Sequence, residues 1–412
     1  MTDRYLVLNR FDDDFGEYHR YVHGLDCRLA YVTLPGGLDV LDVDGALATV
    51  VVDSLDHDVV LACAQALVAE HGPFHGVVGV SERDVLTAAR LREELGVPGD
   101  RAELVTRFLD KPRMKELVSA AGLRVPRWLT GVRPGDAAAA VARLGRPVVL
   151  KPRAEAASRG VRLLPDAAAL AAALAEAGDA DLECEEFVAG RILHADGVRR
   201  GGRYHYVSVS EYVGTCLAFL AGESLGSVLL DPGRDRDEAV GFTAACLDAL
   251  GLADGAFHLE LFRTGAGQLV FLEVGMRPGG GEIGFVHRDV LGVDLFGEAF
   301  RAALRLPPLA DPGTFADPSG GGFVMVPERG PLPSRVVSRG PLSGRVPEVY
   351  GELLPDVGAI FDGRGGYYRI GGRFWLRGRD EAAVRAAVDE VIRSYRLDVE
   401  PVGPPSQELV SG

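Results

Sequence analysis

The 412-residue chain lacks a long apolar run and has few cysteines, and each shortage excludes a class of protein. No apolar segment approaches the roughly 20 residues that a membrane-spanning helix needs. The N-terminal sequence MTDRYLVLNR does not have the layout of a signal peptide. The five cysteines are scattered and never form CxxC, which fits reduced thiols and argues against a disulfide framework or a zinc site. We therefore expect a cytoplasmic protein with no membrane partner.

Basic residues are also fewer than acidic ones, 44 against 59, so the chain carries a net charge of −15. Such an acidic balance argues against nucleic acid or an anionic membrane as the main partner. No GxGxxG opens a predicted helix, so the dinucleotide-binding fingerprint is absent. Hydrophobic content of 47% is that of a globular protein, and the length predicts two or three domains.

Lysine is nearly missing, since arginine supplies all but three of the 44 basic residues. The three lysines are Lys111, Lys115 and Lys151. A compact ammonium suits a phosphate group as a point charge, so a retained lysine is a candidate phosphate contact. Chance retention explains the count equally well. We expect Lys115, one helical turn after Lys111, to be solvated.

Strand and helix patterns alternate through residues 1–108. Short apolar runs such as residues 5–8 and 76–80 predict buried strands, and residues 56–71 predict a helix because apolar residues recur every three to four positions. This order predicts an N-terminal α/β domain with a parallel sheet.

The remaining chain is predicted to form two further domains, at 109–304 and 305–400. A single helix predicted at about 101–121 crosses the boundary into the first of them, which contains a loop at 214–233 and ends in a helix at 289–304. The second has short strands at 322–326, 344–349 and 365–370, then a helix at 380–395, which predicts a small α+β unit. Residues 401–412 are predicted to be a disordered tail.

The run FHLELFRTGAGQLVFLEVG predicts a β-hairpin. If its turn centres on Ala266 and Gly267, Glu260 lies directly opposite Glu273. Opposed residues lie about 5 Å apart at Cβ, and like charges there are destabilising, so we expect a cation between them. Mg²⁺ suits the position because proteins hold it with one or two carboxylates. The alternative is an exposed hairpin with two solvated glutamates.

In their order along the chain, these motifs resemble the ATP-grasp superfamily of ATP-dependent carboxylate–amine ligases. The matching pieces are Asp110-Lys111 in a helix that ends in AGLRVP, the lysine of VVLKP, the run EEFVAG, and the Glu260/Glu273 hairpin with Arg277 after it. The resemblance covers most of the chain. It implies an α/β ATP-grasp architecture, with an N-terminal parallel-sheet domain, a central two-lobed ATP-grasp domain and a small α+β C-terminal domain.

The resemblance implies a nucleotide site. Lys111 and Lys151 would contact the phosphates of ATP, and the loop at 153–160, especially Ser158 and Gly160, would close over them. The adenine would contact a hinge made of Glu185, Glu186, Phe187 and Val188.

The resemblance also implies a metal and substrate site. Glu260 and Glu273 would hold Mg²⁺ or Mn²⁺. Arg277 would bind the substrate carboxylate and the oxyanion formed from it, and it would act with Lys151 in catalysis. The Gly279–Gly281 run, with Gly280 at its centre, would lie near the carboxylate donor. The pocket for the amine would be shaped by Glu282, His287 and Arg288.

Three features depart from the pattern of the superfamily. Gly275 stands where members commonly have an asparagine metal ligand, and Ile192 stands where a carboxylate often contacts the ribose. His194 or Asp196 is a candidate substitute for the ribose contact. The phosphate loop is rich in alanine instead of glycine.

Within the superfamily, EVGMRPGGGEI and the Pro/Gly-rich C-terminal region are most similar to L-amino-acid ligases. The expected activity is ADP-forming: a small carboxylate, an amino acid, is activated as an acyl phosphate and coupled to an amine. The alternatives are a carboxylase that acts through carboxyphosphate and a catalytically degenerate nucleotide-binding protein. The resemblance is compatible with a homodimer, although no residue pattern predicts one.

Overall fold

The computed structural model describes residues 2–154, 158–312, 315, 319–364, 367 and 370–402. Its N-terminal region contains a four-stranded sheet with the strand order β3-β2-β1-β4. These strands are β1 (Asp3–Asn9), β2 (Cys27–Thr33), β3 (Ala48–Val51) and β4 (Gly76–Val78). All three pairings are parallel, which confirms the predicted parallel sheet.

Helices also form in this region, and two of them bury apolar residues of the sheet. The helices are α1 (Tyr18–Tyr21), α2 (His57–His71), α3 (Val85–Glu94) and α4 (Ala102–Thr106). Leu6 and Val32 from the strands pack in one cluster with Val60 of α2 and Leu91 of α3. Burying such side chains stabilises the domain by roughly 1.5–3 kcal/mol each.

The single helix predicted at 101–121 is wrong, because a break separates α4 from α5 (Lys111–Ala120). Asp110 caps the second helix by accepting a hydrogen bond from the backbone N–H of Arg113. Pro112 suits the first turn, where its missing N–H costs nothing. Lys111 therefore lies at the start of a helix.

A second, antiparallel sheet has the order β5-β8-β6-β7. Its strands are β5 (Trp128–Thr130), β6 (Val148–Pro152), β7 (Arg162–Leu164) and β8 (Leu182–Glu186). Two helices, α6 (Ala137–Leu144) and α7 (Ala167–Ala177), pack on it. Lys151 pairs with Glu183 across β6 and β8, and Glu185 is two residues further along the same face.

An eight-stranded sheet forms the centre of the molecule, with the order β13-β12-β9-β10-β11-β14-β18-β16. Its strands are β9 (Gly190–Arg200), β10 (Arg203–Val213), β11 (Leu225–Leu229), β12 (Gly255–Thr264), β13 (Leu269–Gly275), β14 (Gly321–Val326), β16 (Val349–Leu353) and β18 (Gly372–Arg377). The last three in sequence come from the region predicted to be the C-terminal domain and extend the central sheet. The domain boundaries themselves stay a prediction.

The remaining elements complete the C-terminal half. A three-stranded sheet contains β15 (Ser334–Arg339), β17 (Ile360–Phe361) and β19 (Leu397–Pro401). The helices are α8 (Cys216–Leu220), α9 (Arg234–Leu250), α10 (Ile283–Leu291), α11 (Leu295–Ala303) and α12 (Glu381–Ser394).

Several predicted elements in this half are wrong. The loop predicted at 214–233 contains α8, which Thr215 caps, and the buried strand β11. The helix predicted at 289–304 is two helices, because Gly292 has φ of 71° and ends α10. The strand predicted at 344–349 starts only at Val349. Most of the one at 365–370 lies outside the described residues, and the next strand is β18.

The predicted tail is wrong at its first residue, because Pro401 ends β19 and pairs with Ser334. Residues 403–412 of that prediction lie outside the described residues. All five cysteines are unpaired, as expected. Among the described residues, none of the helices combines the length and apolarity that crossing a bilayer requires.

Candidate active site

The prediction that Glu260 faces Glu273 is confirmed by the register of β12 and β13. The predicted turn centre does not by itself explain this pairing, because the register changes between the turn and the two glutamates. Closer to the turn, Leu261 pairs with Phe271, so Leu272 is an extra residue on β13. This β-bulge shifts the register by one position and thereby brings the two carboxylates opposite each other.

Two lysines approach the carboxylate of Glu273 from different elements. Lys111 Nζ, at the start of α5, lies 3.5 Å from Glu273 Oε2. Lys151, on β6, is near enough to feel the same charge. Burial acts to lower the pKa of Lys151, but the carboxylates of Glu185, Glu183 and Glu273 outweigh burial and raise this pKa. Lys111 therefore pairs directly with Glu273, and Lys151 holds its positive charge near the same carboxylate.

Arg277 adds a third cation. Its Nε donates to Glu82 Oε2 at 2.6 Å, and Glu82 lies just after β4 of the N-terminal sheet. Burial acts to lower the pKa of Arg277, but the surrounding carboxylates outweigh it and raise the pKa. In decreasing order of effect they belong to Glu82, Glu273 and Glu260. A Cβ on Gly275 would lie 3.3 Å from Arg277 Cγ, so the arginine packs where an asparagine would begin.

Glu260 is held on one side by a buried polar network. Tyr212 donates to its Oε1 at 3.2 Å, and His258 Nε2 contacts the same oxygen at 3.3 Å. His258 Nδ1 lies 2.8 Å from Asp196, which also bonds His194 Nδ1 at 2.6 Å. Since both contacts to Glu260 use Oε1, its other oxygen is oriented away from them and suits a cation.

The network fixes the charge of His258. Burial acts to lower its pKa, but Asp196 and then Glu260 outweigh burial and raise the pKa to about 9. The same contacts hold the pKa of Asp196 well below its usual range, although burial alone would raise it. His194, Asp196 and His258 are also close enough to form a metal-binding group, but their mutual hydrogen bonds already account for the arrangement.

This raised pKa makes the stability of the metal-free protein depend on pH. A histidine whose pKa rises from 6.5 to about 9 on folding stabilises the folded state fully below pH 6.5, and this contribution is lost as the pH rises through 9. It amounts to about 3 kcal/mol at most. We expect the free energy of unfolding, measured by urea denaturation in EDTA, to fall between pH 6.5 and 9. Asp196→Asn should flatten that decline, and an unchanged slope in this variant would contradict the assignment.

The structure argues against the candidate ribose contacts. His194 and Asp196 are buried and bonded to each other, and His194 Nε2 lies 2.8 Å from Ser227 Oγ. Neither side chain is free to reach a ribose in this arrangement, because withdrawing either one would leave its buried partners unpaired.

The residues predicted to shape the amine pocket are divided between surface and interior. Glu282 is buried, accepts from Trp375 Nε1 at 2.8 Å and pairs with Arg373 at 2.7 Å. His287 is buried as well, with Nε2 2.7 Å from Ser208 Oγ and Nδ1 on a backbone carbonyl of its own helix. Gly280 is exposed. Because their side chains are already bonded to other protein groups, the contacts favour a role for Glu282 and His287 in supporting the residues of the site from behind.

The predicted adenine hinge begins inside the second sheet. Glu185 pairs with β5 and β6 on either side, and the backbone N–H of Glu186 donates to Arg127. Phe187 and Val188 follow the strand and lead to β9 of the central sheet. The hinge prediction therefore applies best to these last two residues, while the side chain of Glu185 faces Lys151.

The predicted phosphate loop is described only in part, because residues 155–157 lie outside the described residues. Ser158 and Gly160 both have positive φ, of 55° and 69°. Glycine adopts this conformation readily, but a serine does so rarely. Arg153, at the start of the loop, pairs with Asp110 at 2.7 Å and so ties the loop to the start of α5.

Sequence reasoning missed two site residues. Lys115 is fully buried against Glu183 and Glu185, so the prediction that it is solvated is wrong. The scarcity of lysine had already marked it together with the other two. Glu82 was not singled out, although ligand sites in parallel α/β sheets form at the carboxyl ends of strands, where it lies.

Comparison with known proteins identifies the family. No family model matches the chain. It is 25% identical over 295 residues to the L-arginine-specific L-amino acid ligase of Bacillus subtilis, covering 68% of this chain and 69% of that protein. It is 31% identical over 274 residues to D-alanine–D-alanine ligase B of Xanthomonas campestris pv. campestris, covering 60% of this chain and 81% of that ligase.

Solved structures agree on the fold. The L-amino acid ligase from Bacillus licheniformis superposes with a TM-score of 0.74 at 17% identity, over 96% of this chain and 98% of that one. The ADP complex of an N5-carboxyaminoimidazole ribonucleotide synthetase superposes with a TM-score of 0.68, also at 17% identity, over 95% and 97% of the two chains. Because the chain is 31% identical to D-alanine–D-alanine ligase B over 81% of that ligase, it belongs to the ATP-grasp family of ATP-dependent carboxylate–amine ligases.

Proposed function

We propose that this ligase couples an amino acid, activated at its carboxylate, to an amine, and that it requires Mg²⁺ or Mn²⁺. The observation that carries the proposal is the pair Glu260 and Glu273, held opposite each other with Lys111 at 3.5 Å from Glu273. Two relatives named as amino-acid ligases support the choice of substrate. We propose a cytoplasmic location on the same ground.

The two glutamates fit a divalent cation. Carboxylate oxygens are the hard ligands that Mg²⁺ and Mn²⁺ prefer. Glu260 presents one oxygen beyond its contacts with Tyr212 and His258, and Glu273 lies across the strand from it. When bound there, the metal would neutralise charge on the phosphates of the nucleotide. Glu273 would bridge this metal site and Lys111.

The cations would bring two anions together. Lys111 and Lys151 would hold the phosphates of ATP, and Arg277 would exchange its contact with Glu82 for the substrate carboxylate. A carboxylate oxygen then attacks the γ-phosphorus, the bond to the β-phosphate oxygen breaks, and ADP leaves. The amine nitrogen attacks the acyl carbon, the C–O bond to phosphate breaks, and the nitrogen loses a proton. Arg277 would stabilise the oxyanion formed in this second step.

A phosphate-release assay tests the proposal directly. We expect release of phosphate from ATP to depend on Mg²⁺ and on particular amino acids, supplied singly and in pairs, with one amide formed per phosphate. EDTA should abolish it. Stimulation by bicarbonate in place of an organic acid would support the carboxylase alternative instead. Nucleotide binding without release under any of these conditions would favour a degenerate protein and contradict the ligase.

A further inference from the structure

A buried cluster of four charges lies behind the proposed phosphate site. Lys115 of α5 is fully buried, and so are Glu183 and Glu185 of β8, at 0% and 2% exposure. Lys151 of β6, at 4% exposure, completes the cluster. Lys115 Nζ also lies 5.9 Å from the ring centre of Trp128. The proposed activity assigns no role to Lys115 or Glu183.

The two lysines share the carboxylate oxygens unequally. Lys115 Nζ lies 2.8 and 2.7 Å from the two oxygens of Glu183, and it also bonds Oε1 of Glu185. Lys151 Nζ lies 2.9 Å from the remaining oxygen of Glu185 and 3.7 Å from Glu183. Lys115 thus engages three of the four oxygens and leaves Lys151 one close contact.

An ammonium has three donors, so this division matters for Lys151. With a single close carboxylate contact, its other donors can turn toward an incoming phosphate. Without Lys115, two buried carboxylates would share Lys151 alone. An unpaired buried carboxylate is costly, so they would compete for its donors. The charge of Lys151 would then be neutralised inside the protein.

We propose that Lys115 is a positioning residue that keeps Lys151 available to the phosphates of ATP by neutralising Glu183 and most of Glu185. The inference rests on the proposed function, in that Lys151 binds phosphate. This role of Lys115 differs from general stabilisation of the fold, because Lys115 affects ligand binding only through Lys151. Loss of Lys115 should therefore weaken binding of phosphates and spare binding of the base.

The test compares the dissociation constants of ATP and adenosine by calorimetry. Lys115→Met should weaken ATP binding about tenfold or more and leave adenosine binding within about twofold. Combining it with Glu183→Gln should restore ATP binding to within about threefold of the wild type. In the double variant Lys151 faces only the carboxylate of Glu185, because the carboxylate of Glu183 has been removed. Arg113→Met, on the exposed face of the same helix, is the matched control and should bind both ligands normally.

Three results would overturn the inference. They are an equal loss for ATP and adenosine, a double variant no better than Lys115→Met, and normal ATP binding by Lys115→Met. If Lys115→Met does not fold, Glu183→Gln decides, since it removes a competitor for Lys151 and should bind ATP at least as tightly as the wild type. Weaker binding would contradict the inference. Wild-type protein that ignores ATP would instead refute the proposed function.

Discussion

Glu273→Gln is expected to lower turnover by about 100-fold or more, the loss found when one preorganised electrostatic contact to a transition state is removed. Glutamine keeps the shape of the side chain but removes the charge that pairs with Lys111 and faces Glu260. A neutral amide is also a poorer ligand for a hard dication. The measurement is kcat by phosphate release at saturating ATP, together with the Mg²⁺ concentration that gives half-maximal rate, which should rise.

The control for this variant is Glu176→Gln. Glu176 is an exposed residue of α7, which packs on the second sheet, and it pairs with Arg162. It should leave both the rate and the Mg²⁺ dependence unchanged. Normal turnover in Glu273→Gln would remove the paired carboxylates from the mechanism, and with them the observation on which the proposed function depends.

The hairpin illustrates what sequence alone predicts well. Alternation on one strand and an apolar run on the next are local signals, and they place Glu260 and Glu273 on facing strands. The predicted turn centre is half a residue away from the observed one. The predicted pairing of Glu260 with Glu273 is nevertheless correct, because the bulge at Leu272 shifts the register by one position and cancels this error. A bulge depends on packing against the neighbouring elements, which no local pattern records.

The lysines illustrate what sequence leaves out. Scarcity marks Lys111, Lys115 and Lys151 alike, but only the fold separates their roles. Lys115 is buried because α5 packs against α9 and β13 and the lysine side chain reaches β8, which brings it to Glu183 across 68 residues of sequence. Likewise, the hydrogen bond from Arg277 to Glu82 spans 195 residues. Contacts of this separation depend on how the sheets are arranged, and helical or strand periodicity carries no information about that.

The contact between Arg277 and Glu82 leads to the second prediction of large effect. Arg277→Met is expected to lower kcat/KM for the carboxylate substrate by about 100-fold or more, because the guanidinium would hold the acid and then the oxyanion. Glu82 loses its partner in this variant, but its side chain is 26% exposed, so the folded state should lose little stability. Arg277→Lys keeps the charge without the planar fork of donors and should recover only part of the activity.

The measurement for Arg277→Met is the rate of phosphate release against acid concentration, with thermal unfolding and ATP affinity recorded on the same protein. Arg393→Met is the matched control, since Arg393 lies exposed on α12 and pairs with Glu390 at the surface. If Arg277 binds the acid, ATP affinity and melting temperature stay near wild type while the dependence on acid changes. If both arginine variants lose activity equally, or if Arg277→Met loses ATP affinity instead, the guanidinium acts on the nucleotide or on folding, and the acid must be bound elsewhere.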